Sequence, residues 1–409
     1  MNNVLVGQSG GPTAVINASL YGVITESLKH RGEIDRIYGA INGIEGFLKG
    51  QVVDLERELD KEDLEALKTT PAAYLGSCRY KLPEDLNNSV YQTLFDKFSA
   101  LDIKYFLYIG GNDSMDTVSK LSAFAKKINS PVRVLGIPKT IDNDLVHTDH
   151  TPGFGSAAKY VASTVREVCL DASIYDKPSV TIVEIMGRHA GWLTASSVLA
   201  RKYPGDNPAL IYLPEVAFSE ERFLDEVQKA LKEKTNVVVC VSEGINDGNG
   251  VFICEHASNG EVAVDNFGHK MLTGCGKYLE NFIKNKLDVK VRSIELNVLQ
   301  RSSSGYASLT DIQEAAHAGA HGIEAGLSGE TGKMISFVRA KGEPYSLSYE
   351  TVDVSEVCNK EKAVPVEWIT KNGTDLSDEM IEYIKPLIQG EPEVPMKGGL
   401  PYFPHRPNK

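Results

Sequence analysis

At 409 residues, with 42% hydrophobic and 24% charged side chains, the chain has an ordinary globular composition and is long enough for two or three domains. No apolar run approaches the ~18 residues needed to cross a bilayer, so no membrane partner is expected. A net charge of −12 argues against DNA or RNA as a partner, because nucleic-acid binding rests on a basic patch that neutralises phosphates; a small phosphorylated ligand would need a few arginines and lysines focused in a cleft.

Met1 and two asparagines lead straight into the strand-like "NVLVG" at 3–7, with no positive segment or cleavage site, so no signal peptide is expected and the location is read as cytoplasmic. The turn "GQSGGPT" follows and opens a helical pattern. Its glycines would let backbone amides and a helix N-terminus approach an anion, but the spacing is GxxGG rather than GxGxxG, and a tight packing turn is the equal alternative. "YFLYIGG" at 105–111 ends in a second glycine turn before the helical "SMDTVSKLSAFAKKI" at 114–128, where Asn112, Asp113 or Ser114 would serve as N-cap.

"VRVLGIP" at 132–138 is followed by "KTIDND", in which Lys139, Thr140, Asp142 and Asp144 crowd together. In an extended segment Thr140, Asp142 and Asp144 point to one side. Three oxygen-bearing side chains on one face call for something cationic or proton-bearing in front of them, unless the stretch is merely an acidic surface turn. Further strands are predicted at 179–187, 209–215, 236–244 and 289–296, with a helix over 218–233. Continuous Val, Ile and Leu without alternation indicates strands covered on both faces, so the fold class is α/β, with two similar doubly wound, mostly parallel sheets. The turns at the carboxyl ends of these strands are drawn to one region by topology. Among them, Arg188 in "MGRHAG" is better explained by an anion than by packing.

The domain boundaries are placed at 1–155 plus about 300–390 for the first domain and 156–299 for the second, with 391–409 a Pro/Gly-rich extended tail. Six cysteines without a CxxC pair and nine histidines without HExxH speak against a disulfide framework or a zinc site.

"SGGPT", "GGNDS", "PKTIDND", "MGRHAG", "SEG" and "LQR" occur in the order and spacing of the phosphofructokinase family, over about residues 1–330. The chain resembles the pyrophosphate-dependent branch of that family, because Asp113 and Lys139 stand where ATP-using relatives have glycine. The resemblance implies two Rossmann-like domains with the active site between them, a homodimer or homotetramer, and a Mg2+-dependent, reversible transfer of a phosphoryl group. The donor would be pyrophosphate and the acceptor the 1-hydroxyl of fructose 6-phosphate, giving fructose 1,6-bisphosphate in glycolysis.

It also implies roles. Asp142 would be the general base, beside Thr140 and Asp144; Met186, Gly187, Arg188 and Glu243 would line the sugar-phosphate site, with Arg292 and Arg301 on the 6-phosphate. Gly11, Arg79, Gly111 and Lys139 would face pyrophosphate. Asp113 would take the room of a nucleotide's α-phosphate; like charges ~4 Å apart repel by ~4 kcal/mol at an effective dielectric of ~20. Three positions depart from the family pattern. Asn112 replaces the magnesium-binding aspartate and offers a weaker ligand, Val298 replaces a sugar-contacting His or Tyr, and Ser179 replaces an arginine supplied across a subunit interface, with Lys177 the nearby cation.

Overall fold

A computed structural model describes residues 2–257, 272, 274–342 and 344–407. Eleven strands in chain order build two sheets: β1 Asn3–Gln8, β2 Ile37–Ala40, β3 Val52–Asp54, β4 Ile103–Gly110, β5 Arg133–Pro138, β6 Ser179–Ile185, β7 Leu210–Tyr212, β8 Asn236–Ser242, β9 Lys290–Glu295, β10 Lys333–Arg339 and β11 Leu347–Asp353. The larger sheet runs β11-β10-β5-β4-β1-β2-β3 and the smaller β7-β8-β6-β9. All pairs are parallel except the two edges of the larger sheet, β2 with β3 and β10 with β11.

The apolar runs lack alternation because both faces of each strand are covered. In β1, Val4 and Val6 enter a core shared with the helix Ile16–Lys29, whereas Leu5 points to the opposite core with Phe98 and Met115. In β4, Tyr105, Leu107 and Ile109 take the first side and Phe106 and Tyr108 the second. The smaller sheet repeats the device, with Val183 and Ile185 of β6 on one face and Val180 and Ile182 on the other. This period of two is what a strand between two helical layers must show.

Helix Ile16–Lys29 and helix Leu309–Leu327 pack backbone to backbone on one face of the larger sheet. A Cβ at Gly22 would lie 1.9 Å from the Ala316 carbonyl oxygen, and one at Gly319 would lie 2.0 Å from that of Ser19. At the start of the same later helix, buried Asp311 accepts the backbone N–H groups of Gly153 at 2.9 Å and Ser156 at 2.8 Å. That carboxylate fixes the entry of helix Phe154–Ser173 and so the point where the chain leaves for the second lobe.

Strands between residues 3 and 138 build most of the larger sheet and strands between 179 and 295 the smaller, and the later part of the chain is shared between the two. Residues up to Asp353 complete the larger sheet, whereas Val364, Leu376, Met380, Ile384 and Leu387 belong to the core of the second lobe, with Trp192 and Leu193. The expectation that about 300–390 return wholly to the first domain is corrected accordingly. The tail forms a two-stranded hairpin, Met396–Lys397 with Leu400–Pro401, and lies on the first lobe, with Tyr402 donating to Asp63 at 2.5 Å and Arg406 Nε to the Tyr74 carbonyl at 3.2 Å. No helix among the described residues is long and apolar enough to cross a membrane.

Gly319→Ala should destabilise the protein by ~1–3 kcal/mol through overpacking, more than the ~1 kcal/mol that alanine gains in helix propensity. Equilibrium denaturant unfolding of the variant against wild type checks this.

Candidate active site

The carboxyl ends of β1, β4 and β5 face those of β6 and β8 across a cleft of about 660 Å³. Of the residues singled out from the sequence, Gly11, Arg79, Gly111, Asn112, Asp113, Lys139, Thr140, Asp142, Asp144, Met186, Arg188, Glu243 and Arg301 line it. Two do not. Gly187 sits behind the wall, with a positive φ of 145°, its carbonyl accepting from the Ser242 hydroxyl and its N–H 3.5 Å from Glu243 Oε1. Arg292, on β9, points elsewhere and pairs with Asp171 at 3.3 Å.

The donor side is built from two glycine turns. The helix Asn112–Lys127 begins directly after Gly111, its N-cap, and no side chain caps it; Asn112, Asp113 and Ser114 lie inside the helix rather than at the cap. Its N-terminus therefore faces the cleft uncapped, carrying the partial positive charge of a helix start. Lys139 crosses from β5 and donates to the Gly11 carbonyl at 2.5 Å, so the amine ties together the first and third strand-end turns. It is only 2% exposed. Burial pushes its pKa down to about 8, against the pull of Asp142 and Asp144 and with the push of Arg301 and Arg79. The Arg301 guanidinium lies against the same turn: a Cβ at Gly11 would sit 3.0 Å from its Nη1. Burial and nearby Arg79 hold Arg301 below its usual range, against the pull of Asp142 and Glu243.

The acceptor side is the loop after β5. Thr140, Asp142 and Asp144 do converge, though through a turn rather than an extended run. The Thr140 hydroxyl accepts from the Asp142 N–H at 3.1 Å and donates to Asp142 Oδ2 at 3.3 Å, and Asn143 is left-handed at φ 55°. Asn143 is fully buried and pins the turn, accepting from the Thr151 N–H at 3.1 Å and donating to the Tyr383 hydroxyl at 2.9 Å. Tyr383 in turn donates to the Asp149 carbonyl at 2.6 Å. Below it, buried His150 lies between Asp149 at 2.8 Å and Glu314 at 2.7 Å.

Burial raises the pKa of Asp142 against its Thr140 hydrogen bond and the charge of Lys139. Burial and Asp142 push Asp144 up to about 7, and burial and Asp142 do the same for Glu243. Carboxyl groups poised near neutrality in a cleft suit proton transfer. On the same wall Arg188 Nε is buried without a hydrogen-bond partner among the described residues, which a bound anion would supply.

Among the described residues no group of three or more His, Cys, Asp or Glu side chains could by itself hold a metal ion. The donors still fit magnesium as it binds with phosphates, since that ion uses one or two carboxylates plus phosphate oxygens and water, and Asp113 and Asp144 both face the cleft. Asn112 fits less well. Its amide oxygen already accepts the Asn359 N–H at 2.5 Å and its amide nitrogen donates to the Lys360 carbonyl at 2.7 Å.

Sequence reasoning missed Asn359 and Glu361, which also line the cleft. They lie in "VCNKEKAV", which has no glycine turn, no strand end and no motif spacing, so nothing local marked them. His189 was within a recognised turn but was given no role; it lines the cleft beside Arg188.

The phosphofructokinase family model matches residues 3–325. This chain belongs to the phosphofructokinase family. It is 39% identical over 403 residues to a pyrophosphate–fructose 6-phosphate 1-phosphotransferase of Halomonas elongata, covering 98% of this chain and 95% of that protein. A protein of the same name from Xanthomonas campestris is 40% identical over 405 residues, with the same coverage. The crystal structure of the pyrophosphate-dependent phosphofructokinase of Marinobacter aquaeolei superposes with a TM-score of 0.88 at 37% identity, covering 98% of this chain and 95% of that one. The match spans both lobes of this phosphofructokinase, including the segment after residue 325 that the family model leaves out.

Proposed function

We propose that this phosphofructokinase transfers a phosphoryl group reversibly from pyrophosphate to the 1-hydroxyl of fructose 6-phosphate, forming fructose 1,6-bisphosphate and phosphate. The single observation that carries the donor assignment is the buried Lys139 ammonium held at the Gly11 carbonyl, in a cleft that Asp113 also lines. Relatives that are 39–40% identical carry the same activity in their names.

Pyrophosphate binds at the uncapped start of helix Asn112–Lys127, between Gly11, Gly111 and the guanidiniums of Arg79 and Arg301, which its charge relieves of mutual repulsion. Lys139 stabilises charge developing on the transferring group, where a fixed ammonium in a dry site acts strongly. Asp113 disfavours the additional phosphate of a nucleotide. Fructose 6-phosphate lies along Met186, Arg188 and Glu243, with Arg188 Nε finding its missing partner on substrate oxygen. Asp142 takes the proton from the 1-hydroxyl as it attacks, aided by the Thr140 hydrogen bond that fixes its orientation. Asp113 and Asp144 would hold Mg2+ together with phosphate oxygens and water, and the ion when bound neutralises donor charge.

Arg292 lies outside its own chain's cleft, so a homodimer or homotetramer is the assembly in which it could reach a neighbouring site. Six cysteines outside any disulfide, four of them buried, accord with the reducing cytoplasm.

Turnover with each donor in turn, with and without magnesium, tests the reading: pyrophosphate should support the reaction and ATP should not, and turnover with ATP alone would overturn it. Replacing Asp113 and Lys139 together with glycine should shift preference toward ATP and sharply reduce the pyrophosphate reaction. Asp142→Asn should lower kcat by ~10²–10⁴-fold, the range of general-base contributions, with KM for fructose 6-phosphate little changed.

The pH profile follows from the same groups. kcat/KM should rise toward about pH 7 as Asp144 and Glu243 lose their protons, and fall above about pH 8 as Lys139 loses its charge. These limbs belong to the coupled cluster rather than to single residues. In Lys139→Arg, whose side chain stays charged, the alkaline limb should move upward even though the rate falls, as initial-rate measurements across pH would register.

A further inference from the structure

The chain passes from the first lobe to the second across the mouth of the cleft. After β11, the helix Val354–Val357 packs on helix Asn112–Lys127, and by Val364 the chain is buried in the second core. Between them, residues 359–362 are pegged at both ends. Asn112 supplies the first peg through its two hydrogen bonds to Asn359 and Lys360. At the second, the Lys362 N–H donates to the Asp144 carbonyl at 2.7 Å, its ammonium donates to the carbonyls of Thr148 at 3.1 Å and Asp149 at 2.8 Å, and Trp192 Nε1 donates to the Lys362 carbonyl at 2.8 Å. Between the pegs, Asn359 and Glu361 line the cleft alongside Asp113 and Lys139. Glu361 is also among the charges that raise Asp144.

We propose that residues 359–362 form a strap that shapes the donor end of the cleft for a compact diphosphate, and that Asn112 is the positioning residue that holds the strap rather than a magnesium ligand. The proposal rests on the pyrophosphate reading. The residue type at 112 follows from the strap's demands, because the peg needs one acceptor and one donor on the same side chain. An amide has both, whereas an ionised carboxylate only accepts and would oppose the Lys360 carbonyl oxygen. The amide oxygen is also engaged by the Asn359 N–H, leaving it a poor position from which to meet a hard cation. The strap adds Glu361 to the carboxylates of Asp113 and Asp144 that line the cleft, so a donor with more charge or bulk than pyrophosphate meets a further carboxylate and a fixed length of backbone.

Asn112→Asp separates a strap peg from a metal ligand. As a lost peg it should raise KM for pyrophosphate roughly tenfold, the scale of one hydrogen bond lost with a repulsive contact added. KM for fructose 6-phosphate should stay unchanged, kcat should change by less than threefold, and the magnesium requirement should be no lower. A fall in half-saturating magnesium with an unchanged or lower KM for pyrophosphate would overturn the proposal and make position 112 a ligand site. Asn112→Ala, which breaks both bonds without adding charge, should shift KM for pyrophosphate in the same direction, and no shift would count against the strap. Hydrogen exchange at the Asn359 amide gives a readout independent of activity: protected in wild type and at least tenfold faster in Asn112→Ala. Equal exchange in both would overturn the peg. Wild-type enzyme that fails to use pyrophosphate while the amide difference persists would sink the donor assignment alone.

Discussion

A lysine ammonium almost wholly removed from water, donating to the carbonyl of Gly11, is the interaction on which the rest of the site depends. A buried charge is costly unless paired and hydrogen-bonded, so Lys139 constrains its neighbours. Asp142 and Asp144 stand close enough to offset it, while burial raises both carboxyl groups and the charge of Asp142 raises Asp144 further. The arginines opposite push the other way. The cleft is thus a balance of like and unlike charges, into which a small dense anion fits beside the amine and the guanidiniums. One amine therefore couples the donor turn, the acceptor loop and the choice of substrate.

That balance needs rigid supports, and they come from parts of the chain far away in sequence. Asn143 stands between the two aspartates and hangs from Tyr383, which rests on Asp149 and so on the His150–Glu314 pair. Arg339 of β10 closes the group, pairing with Asp149 at 2.8 Å and lying over the rings of Tyr345 and Tyr383. Burial opposes a charged imidazole, yet Glu314 and Asp149 hold His150 above its ordinary pKa. The acceptor loop is positioned by contributions from both lobes, as the reaction between two bound substrates requires.

The strands that could be read from the sequence were those with an apolar, β-branched run, as in "YFLYIGG" and "NVVVCVSEG", and they include β7 and β9 at the edges of the smaller sheet. Four strands of the larger sheet, β2, β3, β10 and β11, were not legible. β3 is three half-buried residues, and β11 is half exposed along its length, so neither carries a continuous apolar signal. The segment 364–387 was placed with the wrong lobe because its scattered apolar residues would satisfy either core, and only the tertiary path chooses. Most of the site was legible because its residues follow strand ends, where topology gathers them. Arg292, on a strand rather than after one, was not gathered. Asn112 could be seen as a departure from the family pattern, but its reason lay 247 residues away at Asn359.

Burial lowers the Lys139 amine to about 8, and the negative charge of a bound diphosphate would raise it again. Calorimetric titration of pyrophosphate near pH 8, in buffers of different ionisation enthalpy, counts protons taken up on binding. Uptake should be greater in wild type than in Lys139→Met, with the difference vanishing toward pH 6, where the free amine is already charged. Identical proton uptake in the two proteins across that range, with equal affinity for pyrophosphate, would contradict it.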